Sequence, residues 1–428
     1  MKKIMMAIAP LLILTSCANQ AGLAKLNEFA LNKPNKVFNT VQTKDLNKGY
    51  IDSLKEFSLD FFQQVNKDNP ENPIFSPMSI ATCFSMAYDA ADGETRKELG
   101  ELLHYDEKSF NHLDEIKNAL LRSAINDAKK NTYLNISQSF WADNHSMIHE
   151  DYLKTLQDYY FAEAYQGDLP NMYNEVADWI NDKTKNYLNV KGEEFQEMLS
   201  SATYALLNTV YLKSAWTNEF KEDCNYKGDF TNIGETSTRV TYMETKVEDS
   251  YYFTGEGYMI SSLPFEHDLE FRMLLPNADA NYTEVLNNRT ALDNLLALPL
   301  NTYGVADNAS GVTQRGTVEY TIPQFKVRSK FDLVEMFRDR GIVIPFKPGY
   351  ANFPKFDGGY ISKAQHEAGF ETNNKGAEGA AYTIIVVSKC DIPEEPIEFK
   401  LNRPFAYAVT TKEGIPLFMG KVISLPNV

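Results

Sequence analysis

Six histidines (His104, His112, His145, His149, His267 and His366) and four cysteines (Cys17, Cys83, Cys224 and Cys390) are the side chains with which this 428-residue chain could bind a metal or attack a carbonyl. Their spacing argues against both. His145 and His149 stand four apart without the Glu that a zinc-protease helix places between its ligands, so they read as a loop and a helix start. No Cys-x-x-Cys pair offers zinc or redox chemistry. A nucleophile elbow, a phosphate-binding loop and a dinucleotide fingerprint are all missing from the sequence. Carboxylates are plentiful, and none is singled out as a catalytic pair. The sequence predicts no enzyme, no metal and no cofactor.

A different capacity is written into Gly376-Ala377-Glu378-Gly379-Ala380-Ala381-Tyr382-Thr383, which runs into Ile384-Ile385-Val386-Val387. Small residues suit a loop and also let a chain enter a crowded sheet, while Ile and Val favour extended backbone. As a strand, the segment puts Ala377, Gly379, Ala381, Thr383, Ile385 and Val387 on one uncharged face. Glu378, Ala380, Tyr382, Ile384, Val386 and Ser388 take the other. Two readings stay open on these residues alone. One is an ordinary strand after a glycine turn, which composition favours; the other is a segment that changes conformation. Lys389, Cys390 and Asp391 follow directly. Cys83, inside an apolar helical pattern, reads as a buried small hydrophobe.

Such residues need a scaffold. Hydrophobic residues at 43% and charged residues at 23% describe a globular chain long enough for a sizeable core. A net charge of −16 argues against nucleic acid as a partner, because nothing offers a basic footprint for phosphates. Lys129-Lys130 reads as a solvated helix end. Lys2-Lys3 and the apolar run Ile4–Leu14, too short to span as a mature helix, read as a targeting segment. The run ends in Leu14-Thr15-Ser16-Cys17, which resembles a bacterial lipobox. Residues 1–17 are therefore expected to be a lipoprotein signal ending at a lipidated Cys17, a membrane anchor that needs no transmembrane helix. Ala18-Asn19 avoids Asp, which leans toward the outer membrane of a bacterial envelope, periplasmic or surface face, or an extracellular position. Residues 18–47 read as a polar tether. No linker or repeat divides residues 48–428.

Helical periodicity marks Tyr50–Val65, Ser76–Ala91, Glu94–Leu103, His112–Lys129, Glu150–Tyr160 and Tyr173–Tyr187, with Ser76 as N-cap and Pro77 in the first turn. Strand patterns mark Tyr133–Ala142, Thr203–Leu212, Arg239–Thr245, Tyr251–Phe253, Glu270–Leu275, Thr317–Phe325, Tyr382–Val387, Ile397–Leu401, Phe405–Thr410 and Leu417–Ile423. Helices dominate the first half and strands the second. That segregation predicts an α+β fold with antiparallel or mixed sheets.

Several segments in order resemble the serpin family, over nearly everything from Lys48 to Val428. They are Asn72-Pro73-Ile74-Phe75-Ser76-Pro77-Met78-Ser79-Ile80, Asn208-Thr209-Val210-Tyr211-Leu212-Lys213-Ser214-Ala215-Trp216, and Ile322-Pro323-Gln324-Phe325 with Phe331-Asp332-Leu333. Ile361-Ser362-Lys363-Ala364-Gln365-His366, Glu398-Phe399 with Asn402-Arg403-Pro404-Phe405, and Pro416-Leu417-Phe418-Met419-Gly420-Lys421-Val422 complete the set. The resemblance implies one large domain, with helices around three mostly antiparallel or mixed sheets and an exposed reactive loop at about 374–397. It implies an inhibitor that a protease cleaves and that then inserts its loop into the main sheet.

On that resemblance Gly376 to Thr383 is the hinge, Ser76, Ser79, Asn208 and His366 are the polar shutter beneath the sheet, and Trp216 is the aromatic at the breach. His366 taken alone reads as a satisfied core histidine. Counting from Gly376 places the bait bond at Cys390–Asp391, with Lys389 as chemical rival; counting back from Asn402 lands near Pro393. Asn374 stands where the family commonly has Glu, so a hinge salt bridge is expected to be missing. The implied partners are serine endopeptidases, with papain-like cysteine proteases as a second class, met by a monomer. The alternative is a non-inhibitory serpin acting as a binding or chaperone module.

Overall fold

The computed structural model describes residues 25–32, 44–68, 71–234, 236–298, 304–305, 310–356, 358–377 and 396–428. Besides the helical residues 25–29, ten α-helices occur among them: α1 Lys48–Asp68, α2 Pro77–Ala90, α3 Gly93–Leu102, α4 His112–Arg122, α5 Glu150–Tyr159, α6 Tyr173–Lys183, α7 Glu193–Leu199, α8 Tyr282–Asn287, α9 Arg289–Ala297 and α10 Leu333–Arg338. The strands are β1 Ala30–Asn32, β2 Ile74–Phe75, β3 Ile125–Asp127, β4 Thr132–Asp143, β5 Glu163–Gly167, β6 Tyr204–Ala215, β7 Tyr226–Thr231, β8 Ser237–Gly255 and β9 Tyr258–Pro264. They continue with β10 Leu269–Pro276, β11 Gly304–Val305, β12 Gly311–Pro323, β13 Phe325–Asp332, β14 Gln365–Thr372, β15 Gly376–Ala377, β16 Ile397–Lys400, β17 Phe405–Thr411 and β18 Pro416–Val422.

Three sheets result. One has the order β1-β5-β4-β6-β15 with β3 beside β4. A larger one runs β11-β12-β8-β9-β10-β17-β18-β2, with β16 on β12 and β7 on β8. The third is the two-stranded antiparallel sheet β13-β14. Pairing is antiparallel except at β4–β5 and β12–β16. This is the expected α+β architecture.

Local chemistry explains the element ends. Ser76 caps α2 by accepting from the Ser79 amide, with Pro77 in the first turn where its missing N–H costs nothing. The helix expected over His112–Lys129 stops at Arg122, because 125–127 pair as β3 with β4. Lys129 and Lys130 thus sit in a β-turn rather than at a helix end, their amides bonded to the Asp127 carboxylate. Arg239–Thr245 and Tyr251–Phe253 are two parts of the single strand β8.

Two apolar clusters hold the domain. The main one includes Phe57, Phe61, Phe75, Phe84 and Phe337, all close to fully buried. A smaller one lies under α6 and is built on Trp141, Tyr165 and Trp179. Part of the tether expected over 18–47 departs from that reading: residues 25–29 are helical, Leu26 is buried in the smaller cluster, and β1 pairs with β5.

Candidate functional site at the far edge of strand β6

Strand β6 is twelve residues long and two-faced. Tyr204, Leu206, Val210 and Leu212 pack toward the main core, and Ala205 and Leu207 pack toward the cluster under α6. One edge pairs with β4 from Lys213 down to Tyr204. Along the other edge, among the described residues, only Gly376 and Ala377 pair, antiparallel, with Ala215 and Ser214. Strand β14 pairs with β13 over its whole length. Between β14 and β6 a cavity is lined by Tyr211, Leu212, Gly369, Phe370 and by Tyr187 from the chain that leaves α6. So β6 and β14 flank a strand position whose first two residues are Gly376 and Ala377.

The chain enters that position through a tight reversal. The Asn373 amide donates to the Gly376 carbonyl at 3.0 Å, and the Gly376 amide returns to the Asn373 carbonyl at 3.2 Å. Asn374 and Lys375 form the two-residue turn between them. Gly376 has φ +139°, and a Cβ there would stand 2.0 Å from the Ser214 carbonyl oxygen. Only glycine fits.

Trp216 secures the turn, its indole N–H donating to the Asn373 carbonyl at 2.9 Å while the ring stacks on Phe265 at 4.2 Å. Beside it the buried Asn374 amide is fully used. Its oxygen accepts from Asn225 and from Gln324 at 2.9 and 2.7 Å, and its nitrogen donates to the Asn225 oxygen at 2.8 Å. An uncharged amide clamp thus stands where a salt bridge was expected to be missing. Asn225 was not singled out in the sequence, and Gln324 only as part of the segment Ile322–Phe325; the fold brings both to Asn374.

Beneath the sheet, Ser76, Ser79 and His366 come together. The Ser76 amide donates to His366 Nε2 at 3.0 Å, and the Ser79 amide donates to Ser76 Oγ at 3.3 Å. Asn208 is not part of this chain of bonds. Both its amide atoms are buried without a partner, and so are those of Gln138, its register neighbour on β4. Thr209 Oγ1 and Ser214 Oγ are equally unpaired. Buried polar groups are almost always bonded, so these side chains along β6 are groups that an added partner could satisfy. Sequence reading missed Gln138; the signal would have been an amide aligned with Asn208, visible once β4 and β6 are set in register.

Burial alone pushes the His366 pKa from its ordinary 6.5 down to about 3. The ring is therefore neutral, and protonating Nε2 would set it against the Ser76 N–H. Below its ordinary pKa the unfolded chain binds a proton that the folded chain refuses. Stability should then fall as pH drops through the window from 6.5 toward 3, by up to about 1.4 kcal/mol per pH unit. Urea unfolding at pH 7 and pH 5 should show this loss. His366→Gln should remove that part of the pH dependence; an unchanged slope would mean the ring is not buried neutral.

Cys83 donates to the Leu206 carbonyl at 3.5 Å, and burial pushes its pKa up to about 12, so it is an inert packing thiol. Among the described residues no three His, Cys, Asp or Glu side chains are grouped to hold a metal, and no helix is long and apolar enough to cross a membrane. Cys17, the hinge residues Glu378 to Thr383, and Lys389, Cys390 and Asp391 lie outside the described residues.

The family model for serpins, serine protease inhibitors, matches residues 52–425. The chain belongs to the serpin family. Serpin-Z10 of Arabidopsis thaliana is 27% identical over 368 residues, covering 83% of this chain and 92% of that protein. Antithrombin-III of Mus musculus is 25% identical over 389 residues, covering 86% and 79%. Among solved structures, the thermophilic serpin tengpin in its native state is similar with a TM-score of 0.73 at 21% identity, over 90% of this chain and 96% of that one. Human thyroxine-binding globulin complexed with thyroxine gives 0.71 at 20% identity, over 89% and 99%. These structural likenesses show the fold. Serpins are in general protease inhibitors rather than enzymes, and some are not inhibitory.

Proposed function

We propose that this serpin is inhibitory, a suicide substrate that traps a serine endopeptidase as an acyl-enzyme. The antiparallel pairing of Gly376 and Ala377 with the far edge of β6 carries this reading. If the pairing continues after cleavage, each step along the loop moves one residue back along β6. Gly379 then meets Leu212, Ala381 meets Val210, Thr383 meets Asn208, and Val387 meets Tyr204 at the foot of the strand. Cross-strand partners share a face. The small and β-branched set Ala377, Gly379, Ala381, Thr383, Ile385 and Val387 would therefore turn to the main core, while Ile384 and Val386 would meet Leu207 and Ala205 under α6.

In the reaction, the protease serine oxygen attacks the carbonyl carbon of Cys390. The Cys390–Asp391 bond breaks, Asp391 leaves as a new amino terminus, and the ester remains. Twelve inserted residues at about 3.3 Å each would carry the ester roughly 40 Å down the sheet. Only Ser388, Lys389 and Cys390 would separate it from the foot of β6. Pulling the acylated serine against the protein surface displaces the oxyanion donors and triad that water attack requires. A papain-like enzyme would be held in the same way through a thioester. Asn208 and His366 would serve as exchangeable partners that favour the closed or the opened sheet.

A binding module is the alternative. The uncharged inward face favours insertion over it, since a charge or Pro there would obstruct a new strand. We further propose that Cys17 is lipidated and tethers a monomer to a bacterial envelope. Incubation with trypsin, elastase, subtilisin and papain should yield an SDS-stable complex with at least one of them and a released fragment beginning at Asp391. Clean cleavage with no complex by all four would overturn the inhibitory reading.

A further inference from the structure

We propose that residues 25–32 are a strap that holds helix α6 down on the sheet and so governs how fast a strand can enter beside β6. The second half of this statement rests on the inhibitory reading; the first does not. The strap lies outside residues 52–425, the part matched by the family model.

Contacts of three kinds, hydrogen-bonded, apolar and ionic, make it a built feature. Strand β1 extends the six-stranded sheet by pairing antiparallel with β5, Ala30 opposite Tyr165 and Asn32 opposite Ala164. The Asn32 side-chain oxygen also accepts from the Ala164 amide at 3.1 Å. Leu26, 4% exposed, sits among Tyr165, Val176 and Trp179. Phe29 lies over Gly167, where a Cβ would come within 2.9 Å of its ring, so the glycine makes room for the phenylalanine. Finally, the Lys25 ammonium pairs with Glu175 on α6, a carboxylate whose side chain is only 5% exposed. Burial and the Glu175 charge raise the pKa of neighbouring Asp178, and Lys25 counters them. The strap therefore brings the cation that two crowded carboxylates of α6 need.

Helix α6 is where such a hold would matter. Val176 and Trp179 share their cluster with Ala205 and Leu207 of β6. The chain leaving α6 reaches across to β14, where Tyr187 stands 3.0 Å from the Cβ position of Gly369. The helix and its exit thus bridge both strands that flank the new strand position. Anything entering between β6 and β14 must pass beneath that bridge, so α6 has to lift, and the strap resists the lift.

The test uses two full-length variants with opposite effects. Leu26→Ala with Phe29→Ala releases the strap. Asn32→Cys with Ala164→Cys locks it through a disulfide between register partners. Amide exchange across 173–183 should be about tenfold faster in the released protein and slower in the locked one, reverting on reduction. The number of inhibitor molecules consumed per protease trapped should rise severalfold in the locked form and return on reduction, because slow insertion lets deacylation win. Unchanged exchange at α6 in the locked protein would overturn the proposal, as would unchanged consumption in a locked form that still traps protease. The locked variant decides alone if the released one fails to fold. If no form of the protein traps a protease, the inhibitory reading falls, and exchange at α6 still decides whether the strap holds the helix.

Discussion

Ala381→Arg should turn the inhibitor into a substrate. In the register set by Gly376 and Ala377, position 381 falls opposite Val210, a residue packed toward the main core. Inserting the loop would drive an unpaired guanidinium into that core, which costs several kcal/mol. Every 1.4 kcal/mol on the insertion barrier slows it about tenfold, while hydrolysis of the acyl-enzyme is untouched. Two such factors shift the partition about a hundredfold toward release of active protease. Titration of a trapped protease should then show no stable complex and complete cleavage of the inhibitor. Glu378→Gln, on the outward face, should keep trapping. Equal inhibition by Ala381→Arg and the parent chain would refute insertion with this face inward.

Cleavage should also make the protein markedly more stable. Ile384, Ile385, Val386 and Val387 would pass from the loop into the sheet, each contributing about 1.5–3 kcal/mol when fully buried. Thr383 would also reach Asn208, whose amide is buried without a partner. Together these amount to roughly 6–12 kcal/mol, enough to raise the melting temperature by on the order of 10–20 °C in a domain of this size. Calorimetry before and after limited proteolysis of the loop measures this directly. A cleaved form that melts at or below the intact one would mean that the loop stays out.

Much of this was legible in the sequence, and the failures have physical causes. The helices at 50–65 and 76–91 stand because their apolar spacing and the Ser76 cap point the same way. The alternation of small residues after Gly376 was readable as a strand face, and the fold supplies the edge of β6 that such a face would meet. The two-stranded sheet β13-β14 was missed although β13 buries Phe325, Val327, Ser329 and Phe331 in strict alternation. The intervening Lys326, Arg328 and Lys330 take the exposed positions and break up the apolar run. The amide clamp on Asn374 and the pairing of Gln138 with Asn208 join residues far apart in the chain, which local periodicity cannot register. The strap was hidden for a related reason. Leu26 and Phe29 in a polar stretch look like a tether until Trp179 and Gly167 are seen to receive them.

Hydrogen exchange on the intact and loop-cleaved protein tests the central claim most directly. If the freed loop becomes the strand between β6 and β14, both edges gain ladder partners together. Peptides covering 204–215 and 365–372 should both exchange more slowly after cleavage, by well over about tenfold. Unchanged exchange in both segments, with the loop cut, would contradict it.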